Sequence, residues 1–465
     1  MKTLLGIVLM SALTLILGGC IEDGIDTSPS SQPDFSVDTL YLGTVFTGQP
    51  TPTSRFKVYN RHNRIISISD IAIRGGSQVF RLNVDGFAGE SFHNVEIRPK
   101  DSIFVFVEAT LAPNGRPELT EINRIIDFTT NGVTRSVVIN AEGQDVRRLN
   151  GEIIDTDTRF DAVYPYQIFD SLVVSPGATL TLAPGTTLHF HDKAYCRVEG
   201  TLVSEGTSEL PVNFCGDRTG NVVGQISFDL MASQWRGLEF APESRGNRLS
   251  HTIVRNTETG VLADSLSQVS LLNCRLRNSA GYTLRSRYAD LHIVGCELAE
   301  AADGVLSLTG GKAVVNHTTI ANYYLFAALR GPSVQFDHYN AESDNGSSMP
   351  YLTADFTNSI IYGNGTDLSV GDFSGSMVTL RRCLLKSARE DDDNFITCIW
   401  DTDPLYYTVR SDYYFDYRLQ PDSPALGAAD PTLILPEASV DFYGVSRLQE
   451  APNLGAYQAA GEQDL

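Results

Sequence analysis

A short repeat limits the folds open to this chain more than any other feature. Six segments, beginning near Leu249, Leu271, Ile293, Val315, Phe356 and Leu380, can be laid over one another. Their aligned position reads Thr252, Cys274, Cys296, Thr318, Asn358 and Cys383, with three steps of 22 residues and then steps of 40 and 25. Two positions further on stand Val254, Leu276, Leu298, Ile320, Ile360 and Leu385. A period near 22 with alternating apolar residues predicts a solenoid of stacked short strands.

The cysteines of the repeat have two interpretations. Cys274 and Cys296 would stack about 4.8 Å apart on adjacent coils, which permits a disulfide. Their parallel Cβ vectors fit the preferred disulfide dihedral poorly, so we predict small inward-facing thiols instead. The sequence leaves open the redox state of all six cysteines that follow Cys20, namely Cys196, Cys215, Cys274, Cys296, Cys383 and Cys398.

The N-terminus carries a secretion signal. Lys2 precedes an apolar run from Leu4 to Leu17, and Leu17-Gly18-Gly19-Cys20 resembles the bacterial lipobox. This resemblance implies a signal peptide over residues 1–19, lipidation of Cys20 and a membrane anchor made of palmitate-like acyl chains. Residues 20–34, rich in Ser, Pro, Asp and Gly, are predicted to form a flexible tether.

The residues after Cys20 bear on localisation. Ile21 replaces the aspartate of a known inner-membrane retention signal, so we expect the outer membrane of a diderm bacterium. Glu22, Asp23 and Asp26 resemble the surface-export signal of some lipoproteins, but they equally suit a charged tether. A surface and a periplasmic orientation therefore both stay open. The net charge of −21 and the pI near 4.7 argue against nucleic acid and anionic lipid surfaces as partners.

Residues 35–146 have a different pattern from the repeat. Strand-like runs recur at sandwich spacing, and a Thr130-Asn131-Gly132 turn separates two of them. About seven such strands predict an Ig-like β-sandwich. We interpret this domain as a spacer or an end-cap rather than a binding module.

Pro-Gly and Gly-Thr turns punctuate the chain from residue 150 onward. Pro176-Gly177-Ala178-Thr179-Leu180 and Trp235-Arg236-Gly237-Leu238 are two of the segments that resemble the opening coils of right-handed parallel β-helix proteins, the pectin-lyase-like superfamily. The ending Leu454-Gly455-Ala456-Tyr457 is similar to the C-terminal cap of that group. The resemblance implies an all-β fold, with a right-handed parallel β-helix over residues 150–430 and a C-terminal cap and tail over residues 431–465.

A set of arginines is the main candidate for ligand binding. Arg255 and Arg277 lie 22 residues apart, each directly after an inward apolar residue, so both should face outward in one row. Further candidates are three arginines of the same coil, Arg275, Arg285 and Arg287. Such a ridge would bind an acidic sugar through its carboxylates. The alternative is that these arginines pair with nearby carboxylates and keep the surface soluble.

Two further features are candidate ligand sites. Tyr413 and Tyr414 belong to an aromatic cluster near the last coil, where rings either stack on sugars or pack as a cap. Two insertions, residues 330–351 and 388–395, interrupt the repeat and would form the walls of a groove.

No metal site is predicted. His189 and His191 alternate on one strand and are interpreted as solvated surface. Asp391, Asp392 and Asp393 form a solvated loop in the favoured interpretation, and calcium is the one ion they would suit. We expect no other cofactor.

The resemblance is specific for fold and not for activity. Asp264, Asp290, Glu297 and Asp303 do not fall one period apart, so the paired carboxylates of a glycoside hydrolase are not evident. We therefore expect a non-enzymatic surface lipoprotein whose β-helix binds an extracellular polysaccharide or another ligand. The alternatives are a polysaccharide lyase or glycoside hydrolase acting on acidic sugars, and a structural or adhesive rod.

Overall fold

The computed structural model describes residues 24–223, 226–337, 349–369 and 375–458. The predicted signal peptide, the lipidation site Cys20, parts of the first insertion and the last residues of the tail lie outside these ranges. The described chain is nearly all β, and its helices are four single 3-10 turns: Phe228–Leu230, Arg410–Asp412, Pro431–Leu433 and Pro436–Ala438. None of these described helices has the length or apolar character needed to cross a bilayer.

The chain divides into two compact units, one ending at Asp145 and the other beginning at Val146. The first unit contains ten strands: β1 Asp34–Phe35, β2 Thr39–Phe46, β3 Ser54–Tyr59, β4 Ile66–Ile73, β5 Phe80–Val84, β6 Phe87–Gly89, β7 Ser91–Ile97, β8 Ser102–Ala109, β9 Thr120–Thr130 and β10 Val133–Gln144. They form two five-stranded sheets, ordered β1-β3-β8-β5-β6 and β2-β10-β9-β4-β7. Alternate residues of both sheets meet in one apolar core that includes Phe56, Val105 and Phe128.

The predicted hairpin is present in this unit. Thr130 pairs with Val133, and the turn between them places Asn131 and Gly132 at φ 52° and 78°. Both residue types tolerate positive φ, which suits the tight turn between twisted antiparallel strands. β2 and β10 pair in parallel, whereas the other pairs in the two sheets are antiparallel.

The second unit contains the remaining strands. They are β11 Arg147–Ile154, β12 Thr158–Phe160, β13 Tyr166–Val174, β14 Thr179–Leu182, β15 Thr187–Phe190, β16 Tyr195–Val198, β17 Thr201–Glu205, β18 Val212–Gly216, β19 Asn221–Val223, β20 Ile226–Ser227, β21 Gly237–Phe240, β22 Asn247–Ser250, β23 Thr252–Thr257, β24 Val261–Ala263, β25 Gln268–Leu272, β26 Arg275–Ser279, β27 Tyr282–Arg287, β28 Asp290–Val294, β29 Glu297–Ala299, β30 Gly304–Thr309, β31 Lys312–Asn316, β32 Thr319–Asn322, β33 Val334–Asp337, β34 Thr353–Thr357, β35 Ile360–Gly363, β36 Met377–Arg381, β37 Leu384–Leu385, β38 Phe395–Ile396 and β39 Ile399–Trp400.

Most of these strands stack in three parallel ladders, and β19 and β20 form a separate antiparallel pair. Ladder A runs through β15, β18, β23, β26, β29, β32, β35, β37 and β39; ladder B through β16, β21, β24, β27, β30 and β33; ladder C through β12, β14, β17, β22, β25, β28, β31, β34, β36 and β38. The chain visits C, A and B in turn, and each strand pairs with its counterpart about one period away. This arrangement is consistent with a parallel β-helix, as the repeat predicts.

The alignment of the fifth repeat copy is wrong by one residue. Thr319 pairs with Ile360 and Ile320 with Ile361, so the residue that follows Thr252, Cys274, Cys296 and Thr318 in the inward row is Ser359. Asn358 is instead a turn residue at φ 49°, and Ile360 faces outward. A slip of one residue reverses the face of every side chain in a strand, because their period is two.

The inward row forms part of the solenoid core. Cys274, Cys296 and Cys383 are fully buried beside the apolar residues of all three ladders. The thiols of the six described cysteines are free, in agreement with the preferred interpretation of small inward-facing side chains.

The C-terminal segment, residues 406–457, packs along the outer side of ladder A and is not confined to the last coil. Leu454, Ala456 and Tyr457 pack against the outer side of ladder A, over Ala299 and Ala321. The Ala456 N–H donates to Thr319 Oγ1 (2.9 Å), and the Gly455 N–H donates to the Asn358 carbonyl (2.9 Å). The structure therefore places this segment along the flank of the solenoid, where it covers outward residues that an end-cap would leave exposed.

Candidate functional site

The outward residues of ladder A form a polar row across the early coils. Gln167 is paired with His189, and His189 with Cys215. Phe214 pairs with Val254, which places Cys215 beside Arg255, and Arg255 in turn pairs with Arg277. The two arginines are therefore in register, as their spacing predicts.

The predicted arginine ridge is not a continuous basic surface. Arg255 donates to Asp229 Oδ1 (3.1 Å), and Arg277 is ion-paired with the buried Glu297. Arg275 lies against the ring of Phe442, 3.8 Å from its centroid, and donates to Tyr457 Oη (2.9 Å). Phe442 and Tyr457 thus cover much of Arg275, which is half-buried.

Arg285 and Arg287 face a different direction. Both are exposed on β27, which belongs to ladder B rather than ladder A. Arg287 pairs with Asp264 at 3.9 Å, and Arg285 lies 6.0 Å from the ring centroid of Tyr282. The five arginines therefore do not form one ridge. Arg255, Arg275 and Arg277 belong to ladder A, and Arg285 and Arg287 belong to ladder B, which faces another side of the solenoid.

A groove opens beside ladder A where two segments outside the repeat approach each other. The first segment contains β20 and the 3-10 turn Phe228–Leu230, and the side chain of Asn256 holds it in place. Asn256 Nδ2 donates to the carbonyls of Asp229 (2.8 Å) and Met231 (2.9 Å). One coil further on, Asn278 Nδ2 also donates to the Asp229 carbonyl (2.8 Å). Two stacked asparagines thus fix this wall to the solenoid.

The second wall is the 3-10 turn Arg410–Asp412. Arg410 donates to the carbonyls of Tyr323 (3.2 Å) and Tyr324 (3.4 Å), which fixes the turn to the coil. The next residue, Tyr413, stacks on Phe326 with the ring centroids 6.3 Å apart and the planes 13° apart. Tyr413 keeps 40% of its surface exposed.

The groove between these walls has a volume of about 690 Å³. Its lining combines the Tyr413 ring and Leu230 with the side chains of Asp229, Asp412 and Ser411. Arg255 reaches the groove through its ion pair with Asp229. Of the predicted ligand residues, Tyr413 lines the groove, whereas Arg255 is outside the lining and pairs with one of its carboxylates. Tyr414 donates to Asp416 Oδ2 (3.1 Å) and is not part of the lining.

A thiol and an imidazole meet in the same polar row. His189 Nδ1 lies 3.4 Å from Cys215 Sγ and 3.3 Å from the Gly216 carbonyl oxygen. Burial by itself would raise the pKa of Cys215, but the charge and hydrogen bond of His189 outweigh it and lower that pKa. The same contacts raise the pKa of His189 against the opposing effect of its burial. The interpretation of His189 as solvated surface is therefore wrong.

Two carboxylates are buried beneath the C-terminal segment. Glu297 accepts from Tyr457 Oη (2.5 Å) and pairs with Arg277, and Glu300 accepts from Tyr417 Oη. Burial raises the pKa of Glu300 to about 7, against the lowering effects of Arg277 and Tyr417. These bonds join the C-terminal segment to the solenoid.

The aspartate run in the second insertion serves its own loop. Asp391 Oδ2 accepts from the Thr397 N–H (2.7 Å) and Asp391 Oδ1 from Trp400 Nε1 (3.1 Å). Asp392 Oδ1 accepts from the N–H groups of Asn394 (2.8 Å) and Phe395 (3.0 Å). Within the described ranges, no three His, Cys, Asp or Glu side chains are grouped as metal ligands.

Comparison with known proteins assigns no family to this chain. No protein-family model matches it, and no curated protein matches it. The matching solved structures include a family 123 glycoside hydrolase from Clostridium perfringens (10% identity, TM-score 0.17, 24% of this chain and 25% of that chain). A protein of unknown function from Porphyromonas gingivalis W83 matches with 11% identity and a TM-score of 0.19, over 27% of this chain and 60% of that one.

A thermostable GH87 α-1,3-glucanase from Streptomyces thermodiastaticus matches over a larger part (9% identity, TM-score 0.18, 75% of this chain and 88% of that chain). This chain spans only a quarter of the family 123 hydrolase and 60% of the Porphyromonas protein. TM-scores this low establish neither a shared fold nor a shared activity. The architecture therefore rests on the strand pairing described above.

The predicted insertions do not include the groove, because both of its walls lie outside residues 330–351 and 388–395. The clue was available between Cys215 and Trp235, where residues 217–234 interrupt the spacing from β18 to β21. A second clue was the pair of asparagines Asn256 and Asn278, which are 22 residues apart. Asparagines at equivalent positions of adjacent coils can hold a neighbouring segment by hydrogen bonds.

Proposed function

We propose that this protein is a lipoprotein anchored through Cys20 in the outer membrane, and that its right-handed β-helix binds a polysaccharide at the groove between β20 and the Arg410–Asp412 turn. The N-terminal sandwich, Ig-like in this proposal, would separate the helix from the membrane. The combination of an exposed aromatic ring with polar side chains in one groove carries the proposal, because sugar rings present both apolar faces and hydroxyl groups.

The charges around the groove favour a neutral sugar. Arg255 is already paired with Asp229, and Asp412 adds a second carboxylate to the lining. Carboxylates accept hydrogen bonds from hydroxyl groups and repel the carboxylates of uronic acids. The sequence-based expectation of an acidic ligand on the arginine ridge is therefore replaced, for this groove, by a neutral polysaccharide.

Hydrolysis is the second candidate function, because two carboxylates, Asp229 and Asp412, line one groove. Glycoside hydrolases act through a pair of carboxyl groups on either side of the scissile bond. A hydrolase would release reducing ends from the bound polysaccharide, whereas a binding protein would retain it uncut.

Both functions can be tested with one set of proteins. Full-length protein in detergent is run through gels containing neutral α- and β-glucans, and soluble reducing ends are measured in parallel. We expect retarded migration without product, and a loss of about tenfold in affinity for Tyr413→Ala, because stacking contributes about 1 kcal/mol or more. Tyr351→Ala is the matched control, since Tyr351 is similarly exposed (46%) and does not line the groove.

Equal retardation of the Tyr413→Ala variant and the wild type would remove the groove from the proposal. Release of reducing ends that stops in Asp229→Asn or Asp412→Asn would establish the hydrolase instead. The anchor is tested separately by labelling cells with radioactive palmitate, where Cys20→Ser should abolish incorporation.

A further inference from the structure

One face of the N-terminal unit combines aromatic rings with positive charges. On the sheet ordered β1-β3-β8-β5-β6, the residues that alternate with the core residues point outward. Phe106 on β8 stands directly between Arg55 on β3 and Asn83 on β5. Phe104, two residues earlier, pairs with Lys57, and the centroids of the two phenylalanine rings are 5.8 Å apart.

The two cations on this face differ from the arginines of the solenoid. Arg55 Cζ and Lys57 Nζ each lie 5.0 Å from the ring centroid of Phe104. Among the described residues, neither cation has a carboxylate partner, whereas Arg255, Arg277 and Arg287 all do. Both positive charges therefore lie over one aromatic ring with no ion pair in the described chain.

A cavity of about 450 Å³ lies beside Phe106 on the same face. Its polar lining includes Asn83, Thr53 and the pair formed by Arg81 and Glu108 at 3.4 Å. Glu108 Oε1 also accepts from Thr53 Oγ1 (2.5 Å). The Arg81–Glu108 pair is neutral overall, so the positive charge of the face comes from Arg55 and Lys57. Exposed Asp85, whose N–H donates to the Phe104 carbonyl, adds one carboxylate beside the face, which leaves a net charge of about +1.

We propose that this face is a second ligand site, which binds an acidic polysaccharide containing uronic acid units. The ring of Phe106 would contact the apolar face of a sugar, and Arg55 and Lys57 would bind its carboxylate. Asn83 and Glu108 would accept hydrogen bonds from hydroxyl groups. A polypeptide rich in Asp and Glu also has carboxylates, but the Phe106 ring favours the sugar, because an aromatic ring packs against the apolar face of a sugar ring.

This site is independent of the groove proposed on the solenoid. It lies in the other compact unit, and its charge is opposite in sign to that of the groove, whose carboxylates favour a neutral sugar. The expectation that the N-terminal domain acts only as a spacer or an end-cap is revised by this proposal.

The test measures binding of polygalacturonate to full-length protein in detergent by isothermal titration calorimetry, with neutral dextran in parallel. We expect polygalacturonate to bind and the affinity to fall when NaCl is raised from about 0.05 M to about 0.5 M. Arg55→Gln combined with Lys57→Gln should weaken binding by about tenfold, since two exposed charge contacts are lost. Phe106→Ala should weaken it as well, and unchanged circular dichroism verifies the fold of each variant.

Arg124→Gln is the matched control, because Arg124 is exposed on β9 of the other sheet and also lacks a carboxylate partner in the described chain. Unchanged affinity of the folded Arg55→Gln/Lys57→Gln variant would overturn the proposal. Binding of poly-glutamate as tight as that of polygalacturonate would overturn its specificity for sugar. Tyr413→Ala should leave polygalacturonate binding intact, so failure at this site and failure at the solenoid groove are distinguishable.

Discussion

The thiol of Cys215 differs from the other described thiols in its neighbours. Burial raises the pKa of Cys196 to about 12 and that of Cys398 to about 11. Cys215 is also buried, but it alone has an imidazole at hydrogen-bonding distance, and His189 lowers its pKa. The sequence places the two residues 26 apart on consecutive outward positions of ladder A, which becomes evident only once the pairing of β15 with β18 is known.

We expect Cys215 to react with iodoacetamide at a lower pH than Cys196 or Cys398. The pH at which the reaction of Cys215 is half-maximal should rise in His189→Gln, because the stabilising imidazole is lost. Peptide mass spectrometry after alkylation across a pH series measures each site. An unchanged half-maximal pH at Cys215 in His189→Gln would contradict the role assigned to His189, and Cys398 serves as the internal control.

At the scale of the structural element, the turn before the ladder A strand keeps one backbone conformation in successive copies although the steps between copies are unequal. His251, Asn273, Gly295, His317 and Asn358 all occupy positive φ at this turn. These copies therefore share a residue with positive φ at this turn. The long insertion before Asn358 lies elsewhere in the coil. Asn358 also bonds to the C-terminal segment, since its Oδ1 accepts from the Asp430 N–H and its Nδ2 donates to the Asp430 carbonyl, both at 2.9 Å.

Asn358→Ala is expected to lower the free energy of unfolding by about 3 kcal/mol. About 1 kcal/mol comes from placing alanine at positive φ, and the remainder from the lost hydrogen bonds. Asn273→Ala is the matched control: Asn273 has a similar φ of 48°, and its Oδ1 accepts no hydrogen bond within the described chain. Urea denaturation measures both variants. Equal losses in the two variants would show that the bonds to Asp430 contribute nothing.

The repeat predicts most of the solenoid but not its register everywhere. The first four copies follow the 22-residue spacing, and Leu271, Ile293 and Val315 pair as their alignment predicts. The fifth copy is displaced by one residue because an insertion breaks the period, and local alternation cannot distinguish Ile360 from Ile361. The candidate groove was less predictable, because Asp229 and Tyr413 are 184 residues apart and come together only in the folded chain.

For the whole molecule, the principal finding is that the C-terminal segment covers one flank of the solenoid. Tyr417 and Tyr457 bring their hydroxyl groups to Glu300 and Glu297, and apolar residues around them cover the outer side of ladder A. This arrangement buries ionisable groups that would be solvated without the segment. The stability of the folded chain should therefore depend on pH in a range where ordinary carboxylates do not titrate.

The pKa of Glu300 is raised from 4.5 to about 7, so the protonated carboxyl is the form that the folded chain favours. As the pH rises from about 4.5 to about 7, the unfolded chain releases this proton first and the free energy of unfolding falls, by about 3 kcal/mol in total. Glu300→Gln should match the wild type near pH 4.5 and be more stable at pH 8. Urea titrations at both values test this, and a difference between the two proteins that does not vary with pH would contradict it.

The sequence by itself determined the period, the alternation of inward and outward residues and the small inward side chains, because these depend on neighbours a fixed number of residues apart. Tertiary structure alone decided which outward residues remain accessible to a ligand. Arg275 and Arg277 face outward as their positions predict, yet Phe442 and Tyr457 of the C-terminal segment cover Arg275, and Glu297 of the next coil neutralises Arg277. Burial and charge pairing between distant parts of the chain leave no periodic signal, so the groove and the covered flank are properties of the fold.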